Sequence, residues 1–185
     1  VHLVICNVGR LCHPHLPSRA RDALPQGEKL RPDLRLLLIG EGGDLDALKE
    51  KAERLGLTDR VLFYGTTKHP ERLLWAMDVF AFPSLFEGLG IVAIEAQAAG
   101  LPVVCSEHVP PEAAVTPLVT RLPLDEGAAA WENALLKLPE AEQTSGAEQV
   151  RQGGFDVADV ARRIERTYMG SEHGETNDFR RHSGV

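Results

Sequence analysis

The chain has 185 residues, 43% of them hydrophobic and 5% aromatic, with a formal net charge of −7. That length suffices for one domain with a real core, or for one lobe of a larger protein. The acidity argues against non-specific nucleic-acid binding, which needs a basic surface, but it leaves local capture of phosphate by backbone N–H groups open.

Short β-rich runs alternate with helical patterns along the chain. Strands are expected at residues 1–9, 34–40, 61–65, 78–84, 102–106 and 118–122. Most are continuous apolar runs, as in strands covered on both faces of a parallel sheet. Between the second and third, Leu45, Leu48, Ala52 and Leu55 form a helical stripe that Asp44 can cap. "HPERLLWAM" predicts a short helix with Pro70 in its first turn. "GIVAIEAQAAG" predicts a helix that Gly100 and Pro102 end, and "GAAAWENALLKL" and "VADVARRIERTYM" predict the last two. Repeated β–α units with short connections imply an α/β fold: a doubly wound, Rossmann-like parallel sheet of about six strands. The lobe is expected over residues 1–169, followed by a polar tail at 170–185 without periodicity, expected to be disordered.

Residues 12–32 depart from this pattern. The segment should hold the helix linking the first two strands, yet it carries prolines at 14, 17, 25 and 32 and no apolar stripe. Either an insertion replaces the helix, or the segment is aberrant, for example translated from a disturbed reading frame.

Cys6, Cys12 and Cys105 form no CxxC or Cys/His metal pattern, and their odd number is expected to mean reduced thiols in the cytoplasm. No apolar run reaches about 18 residues, so no membrane-spanning helix is expected. The opening "VHLVICNVGR" lacks the basic region and cleavage site of a signal peptide and reads as a strand that begins at once, as if something preceded it.

In doubly wound sheets ligands bind beyond the carboxyl ends of the strands, which directs attention to "SLFEGLGIVAIEAQAAGLPVV", residues 84–104. Gly88 and Gly90 remove side chains where a ligand approaches the backbone and permit positive φ. The helix starting near Gly90 offers unpaired N–H groups, a suitable cradle for a diphosphate. Glu95 lies about one turn into that helix and can reach back toward the mouth of the site. Set among Ile91, Val92, Ala93, Ile94 and Ala96, it is expected to be at least partly buried and to need pairing, for which sugar hydroxyls are well suited. Glu87, before the glycines, can accept hydroxyls of a second sugar. A lone helical glutamate is most simply a solvated residue; the glycines, the helix start and two carboxylates together favour a ligand site.

The same stretch resembles the E-x7-E motif of the retaining glycosyltransferases of family 4, which have the GT-B fold. "NVGRL" resembles that family's first-strand turn, "RPDLRLLLIGEGGDLDALKEKAERLGLTDRVLFYG" its second and third units, and "DVFAFPS" its fourth strand. The likeness covers roughly residues 3–12 and 31–138, with the closing helix "FDVADVARRIERTYM" also similar. "EAQAAGLPVVCSEHVP" followed by "TRLPL" looks most like exopolysaccharide-type members.

The resemblance implies the C-terminal, donor-binding lobe of such an enzyme, with a nucleotide diphosphate sugar, UDP-linked above all, as donor and no metal or other cofactor. It implies that Glu95 binds the nucleotide ribose and that Glu87 contacts the donor sugar as the catalytic carboxylate. The amides of Gly88, Leu89, Gly90 and Ile91 would meet sugar and diphosphate, and Gly9 and Arg10 would form the diphosphate turn. Residues from Gly65 to Thr67 would lie where the family holds the base. The family's phosphate-binding lysine after the arginine has no counterpart in "CHPHLPSRA", where His13, His15 or Arg19 is the available substitute and more simply a loop residue. The family's second, N-terminal lobe supplies the acceptor site, and this chain starts at the first strand of the C-terminal one, so that lobe is the implied partner. Membrane association would be peripheral and only through that lobe, and the location cytoplasmic. The alternative is a truncated or inactive nucleotide-binding module without transferase activity of its own.

Weaker signals are read as structural. "GEGG" lacks the third glycine of a dinucleotide fingerprint. His108 reads as a loop residue and "KEKAER" as a solvated helix face.

Overall fold

The computed structural model describes residues 3–11, 33–137 and 146–170. The proline-rich connection at 12–32, with Cys12, His13, His15 and Arg19, and the polar tail at 171–185 lie outside the described residues. Contacts divide the chain after Val150 into two units.

In the first unit, six strands form one sheet: β1 (Leu3–Val8), β2 (Leu34–Ile39), β3 (Val61–Gly65), β4 (Val79–Phe82), β5 (Val103–Ser106) and β6 (Val119–Leu122). Every pairing is parallel and the order is β3-β2-β1-β4-β5-β6, the expected Rossmann-like doubly wound arrangement. The helices are α1 (Leu45–Arg54), α2 (Pro70–Leu74), α3 (Ile91–Ala98), α4 (Ala128–Leu136) and α5 (Gly146–Val150).

The core follows from the register. Cys6 stands level with Leu37 on one side and Phe80 on the other, and Phe80 with Val103, so these side chains share one face. On the opposite face Ile5, Leu34, Val79 and Val104 pack with Trp131 and Leu135 of α4, and Leu38 packs with Leu48 of α1. The Trp131 indole N–H donates to the Pro123 carbonyl at 3.1 Å, which satisfies the one polar group this ring brings into the core.

Three expectations are corrected. First, β3 is not a continuously buried strand: it alternates, with Leu62 and Tyr64 exposed. Like β6, whose Thr120 and Arg121 are exposed, it lies at a sheet edge and has a neighbour on one side only. Second, Leu55 is exposed because α1 ends at Arg54, and Asp44 stands at its N-cap without a side-chain capping hydrogen bond. Third, Gly170, expected to open the tail, closes a helix.

Two local signals are realised as read. Pro70 occupies the first turn of α2. Gly100 ends α3 at φ 80°, its N–H donating to the Gln97 carbonyl at 2.9 Å while the Leu101 N–H donates to the Ala96 carbonyl at 3.0 Å, a Schellman closure.

The second unit holds α6 (Val157–Gly170). The Asp156 carboxylate accepts from the N–H groups of Ala158 and Asp159, at 2.9 and 3.1 Å, and so caps the helix.

Two predictions follow from the packing. Burial pushes the Cys6 thiol up to about 12, and it pushes Cys105 up to about 11 against the lowering influence of Arg121. In a Cys12→Ser variant, a thiol reagent at pH 8 should label nothing until denaturant is added; rapid labelling of native protein would contradict the packing. Gly40→Ala should destabilise the protein by about 2–4 kcal/mol in urea titration, because the new Cβ would stand 1.9 Å from the Gly9 carbonyl oxygen.

Candidate functional site

The order of the strands creates a switch point. The chain winds from β1 outward to β3 on one side, then returns to β4 on the other side of β1. Beyond the carboxyl ends of the strands lie two cavities, of about 390 and 580 Å³, which share the residues Val8, Gly9 and Arg10. The first is lined by Asn7 to Arg10, Phe82, Glu87 and Leu89 to Val92. The second is lined by the turn after β1, by Ile39 to Gly42, and by Thr66, Thr67 and Pro70.

Arg10 is presented by a turn laced to its neighbour. The Gly9 N–H donates to the Ile39 carbonyl and the Leu11 N–H to the Glu41 carbonyl, both at 3.0 Å, and the Asp44 N–H donates to the Leu11 carbonyl at 2.9 Å. Leu11 is fully buried beside Leu38 and Leu48. A Cβ at Gly40 would collide with the Gly9 backbone, and one at Gly42 would stand 2.4 Å from the Leu11 carbonyl oxygen. The glycines of "GEGG" thus serve the packing of two turns. Arg10 lies exposed between anchored neighbours.

The turn after β4 is held from below. The fully buried Ser106 hydroxyl donates to the Ser84 carbonyl, and the fully buried Ser84 hydroxyl donates to the Phe86 carbonyl at 3.2 Å. Gly90 is the N-cap of α3 at φ 78°, and a Cβ there would meet the Phe82 ring at 3.1 Å. No side chain caps the first amides of α3 at this end. Gly88 departs from expectation: it has no positive φ, and a Cβ there would meet nothing within 4 Å.

The far end of α3 is fixed by Gln97, which is fully buried. Its amide nitrogen donates to the carbonyls of Ala93 (2.9 Å) and Ala113 (2.7 Å). Its oxygen accepts from the Val115 and Thr116 N–H groups, both at 3.0 Å, and from the Thr116 hydroxyl at 3.1 Å. Arg121 reinforces the same connection by donating to the carbonyls of Glu107 and Val109.

Of the residues singled out in the sequence, Gly9, Arg10, Glu87, Leu89, Gly90 and Ile91 line the first cavity together. Gly65, Gly88 and Glu95 line neither cavity. Gly65 is nonetheless tied to the second, its carbonyl accepting from the Gly40 N–H at 2.8 Å. Glu95, expected to be at least partly buried, is an exposed residue on α3, because the stripe facing the core is Ala93, Ile94, Ala96 and Gln97. The protein around its inner side still raises its carboxyl above the ordinary range by desolvation, and repulsion from the Glu71 carboxylate adds to this. Glu71 in turn lies 3.1 Å from the His69 imidazole.

Sequence reasoning missed Asn7, Ser84, Gln97 and Ser106. Each is a polar residue in or at the end of an apolar run, a visible signal, but the bonds from Asn7 to Ala81, from Ser106 to Ser84 and between Gln97 and Ala113 and Thr116 join residues 16 or more positions apart.

A carboxyl raised in the folded state favours its neutral form there. Its contribution to stability is present at pH below the unfolded value and is lost as pH rises through the folded one. Glu95→Gln should therefore be more stable than wild type in urea titration at pH 7, with the gap closing toward pH 4. A gap that widens on acidification would count against this environment for Glu95.

The chain is 38% identical over 104 residues to the glycosyltransferase EpsF of Bacillus subtilis, an overlap of 56% of this chain and 27% of that protein. It is 41% identical over 118 residues to the D-inositol 3-phosphate glycosyltransferase of Nocardia farcinica, covering 56% of this chain and 25% of that one. Among solved structures, Anabaena Alr3699/HepE in complex with UDP and glucose superposes with a TM-score of 0.71 at 24% identity, covering 91% of this chain and 48% of that one. The pneumococcal O-GlcNAc transferase GtfA in complex with UDP and GlcNAc gives a TM-score of 0.77 at 18% identity, covering 93% and 36%. The chain thus spans about a quarter of the length of the curated relatives it matches and at most about half that of these solved chains. The structural neighbours are GT-B glycosyltransferases, which establishes the fold. Residues 2–153 match the model of the family described as glycosyl transferases group 1, and the chain belongs to that family.

Proposed function

We propose that this chain is the donor-binding lobe of a retaining, family 4 glycosyltransferase that takes a nucleotide diphosphate sugar, most specifically a UDP-sugar. The observation that carries the reading is the cavity at the switch point, where Arg10 from the turn after β1 meets Glu87 and the uncapped start of α3. A guanidinium and helix-start amides are the groups a diphosphate needs, and the backbone turn that presents Arg10 is held by hydrogen bonds before any ligand arrives. These groups stabilise charge developing on the leaving diphosphate without a divalent ion.

In this reading Glu87 is the catalytic carboxylate at the donor sugar, beside the amides of Gly88 to Ile91. Glu95, one turn beyond Ile91, accepts the ribose hydroxyls, and donated O–H bonds would relieve the repulsion from Glu71. The second cavity, lined by Thr66 and Thr67 and shared at Arg10, takes the base. Gly88 fits the same picture, since its open surroundings impose no requirement for glycine and a ligand approaching the backbone would. That solved neighbours are complexes with UDP supports the choice of nucleotide. Transfer to a glycan or lipid-linked acceptor, including one of exopolysaccharide synthesis, requires an acceptor-binding lobe as partner. The reaction would take place in the cytoplasm, with any membrane contact made through that lobe. No helix among the described residues is long and apolar enough to cross a membrane.

Titration calorimetry with UDP tests the reading. Wild type should bind UDP, and Arg10→Ala and Glu95→Ala should each weaken binding roughly 10- to 100-fold, the worth of charge-assisted hydrogen bonds. Well-folded protein that fails to bind UDP would sink the site assignment. Binding of UDP-sugars without turnover, even with an acceptor lobe supplied, would favour a nucleotide-binding module instead.

A further inference from the structure

We propose that Asn7 is a sugar-recognition residue of this lobe, reading a hydroxyl of the transferred sugar at the floor of the first cavity. The inference rests on the donor-site reading above and goes beyond it, because it assigns a contact to a residue to which that reading gives no role.

Asn7 is the penultimate residue of β1 and is 7% exposed, yet it lines the cavity at the switch point. Three polar side chains line that cavity, those of Asn7, Arg10 and Glu87, amid an otherwise apolar wall. An asparagine in a strand buried at the centre of a sheet is costly to desolvate, so its polar atoms need partners. One is present: Nδ2 donates to the Ala81 carbonyl of β4 at 2.8 Å. This bond crosses the seam between β1 and β4, where the winding of the sheet reverses. It also assigns the amide, since the reverse orientation would set two oxygens against each other.

What remains is one N–H and the carbonyl oxygen Oδ1, with no other hydrogen bond among the described residues. That remainder selects a ligand chemistry. A phosphate oxygen only accepts, so it could take the free N–H but would leave Oδ1 without a donor. A hydroxyl both donates and accepts, so it can satisfy Oδ1 and the free N–H alike. Arg10 carries the anionic part of the donor, and Asn7 and Glu87 face its neutral, hydroxyl-bearing part. The bond to Ala81 holds the amide plane before ligand arrives, so discrimination needs no reordering of the side chain.

Calorimetry with UDP and with UDP-glucose on the same protein separates the roles. For Asn7→Ala, affinity for UDP-glucose should fall about five- to tenfold while affinity for UDP changes less than about twofold, the effect of one lost hydrogen-bonding group. Equal losses for both ligands would mean that Asn7 only braces the β1–β4 seam, and the proposal would be overturned. A second readout needs no substitution: in wild type, the Asn7 side-chain amide resonances should shift with UDP-glucose and stay in place with UDP. Resonances that ignore the sugar would overturn the assignment, as would equal shifts with both ligands. Wild type that binds neither ligand removes the donor site itself, whereas wild type that binds both with Asn7 silent removes only this inference.

Discussion

The site depends on how closely the turn after β1 lies against the turn after β2. With Gly9 and Leu11 bonded to the carbonyls of Ile39 and Glu41, the two backbones run in contact where any side chain at position 40 or 42 would intrude. The close approach keeps Arg10 at the boundary of both cavities. Leu11, driven into the core beside Leu38 and Leu48, pins the far end of the same turn. A flexible surface cation is thereby presented from a fixed backbone.

The opposite wall is built on a different principle. There, buried polar side chains tie together connections that share no regular structure. Ser106 and Ser84 bridge the ends of β5 and β4 and reach the turn that carries Glu87. Gln97 holds α3 to the connection between β5 and β6 through both ends of its amide. Each such group is expensive to bury alone, and its full satisfaction is what makes the geometry unique. Val109 closes the circle: Arg121 bonds its carbonyl, and its side chain lies 3.4 Å from where a Cβ on Gly90 would stand.

Most of the fold was legible from local patterns. All six strands fall where they are expected, most of them on continuous apolar runs, and the ends of α2 and α3 follow from Pro70 and Gly100, whose backbone preferences operate whatever surrounds them. The misreadings concern which face a residue presents. Leu62 and Tyr64 look like core residues in sequence and are exposed because β3 is at an edge. Glu95, expected to be at least partly buried amid its apolar neighbours, has an exposed side on a helix that turns its residues in different directions, while its inner side is desolvated by the protein. Gly88 resembles Gly90 in composition, yet only Gly90 uses the left-handed backbone.

By itself, the sequence determined the alternation of strands and helices, the parallel sheet they imply, and the E-x7-E spacing that sets a glycine turn at the start of a helix. These are properties of neighbours along the chain, governed by periodicity and backbone preference. Only the tertiary structure decided that Arg10 and Glu87 share a cavity, that Glu95 stands near Glu71, and that Asn7 spans the β1–β4 seam. Such contacts join segments far apart in the chain, Asn7 and Ala81 by 74 positions, and they exist only once strand order is set. Strand order comes from burying two sheet faces at once, a condition no local stretch of sequence can express.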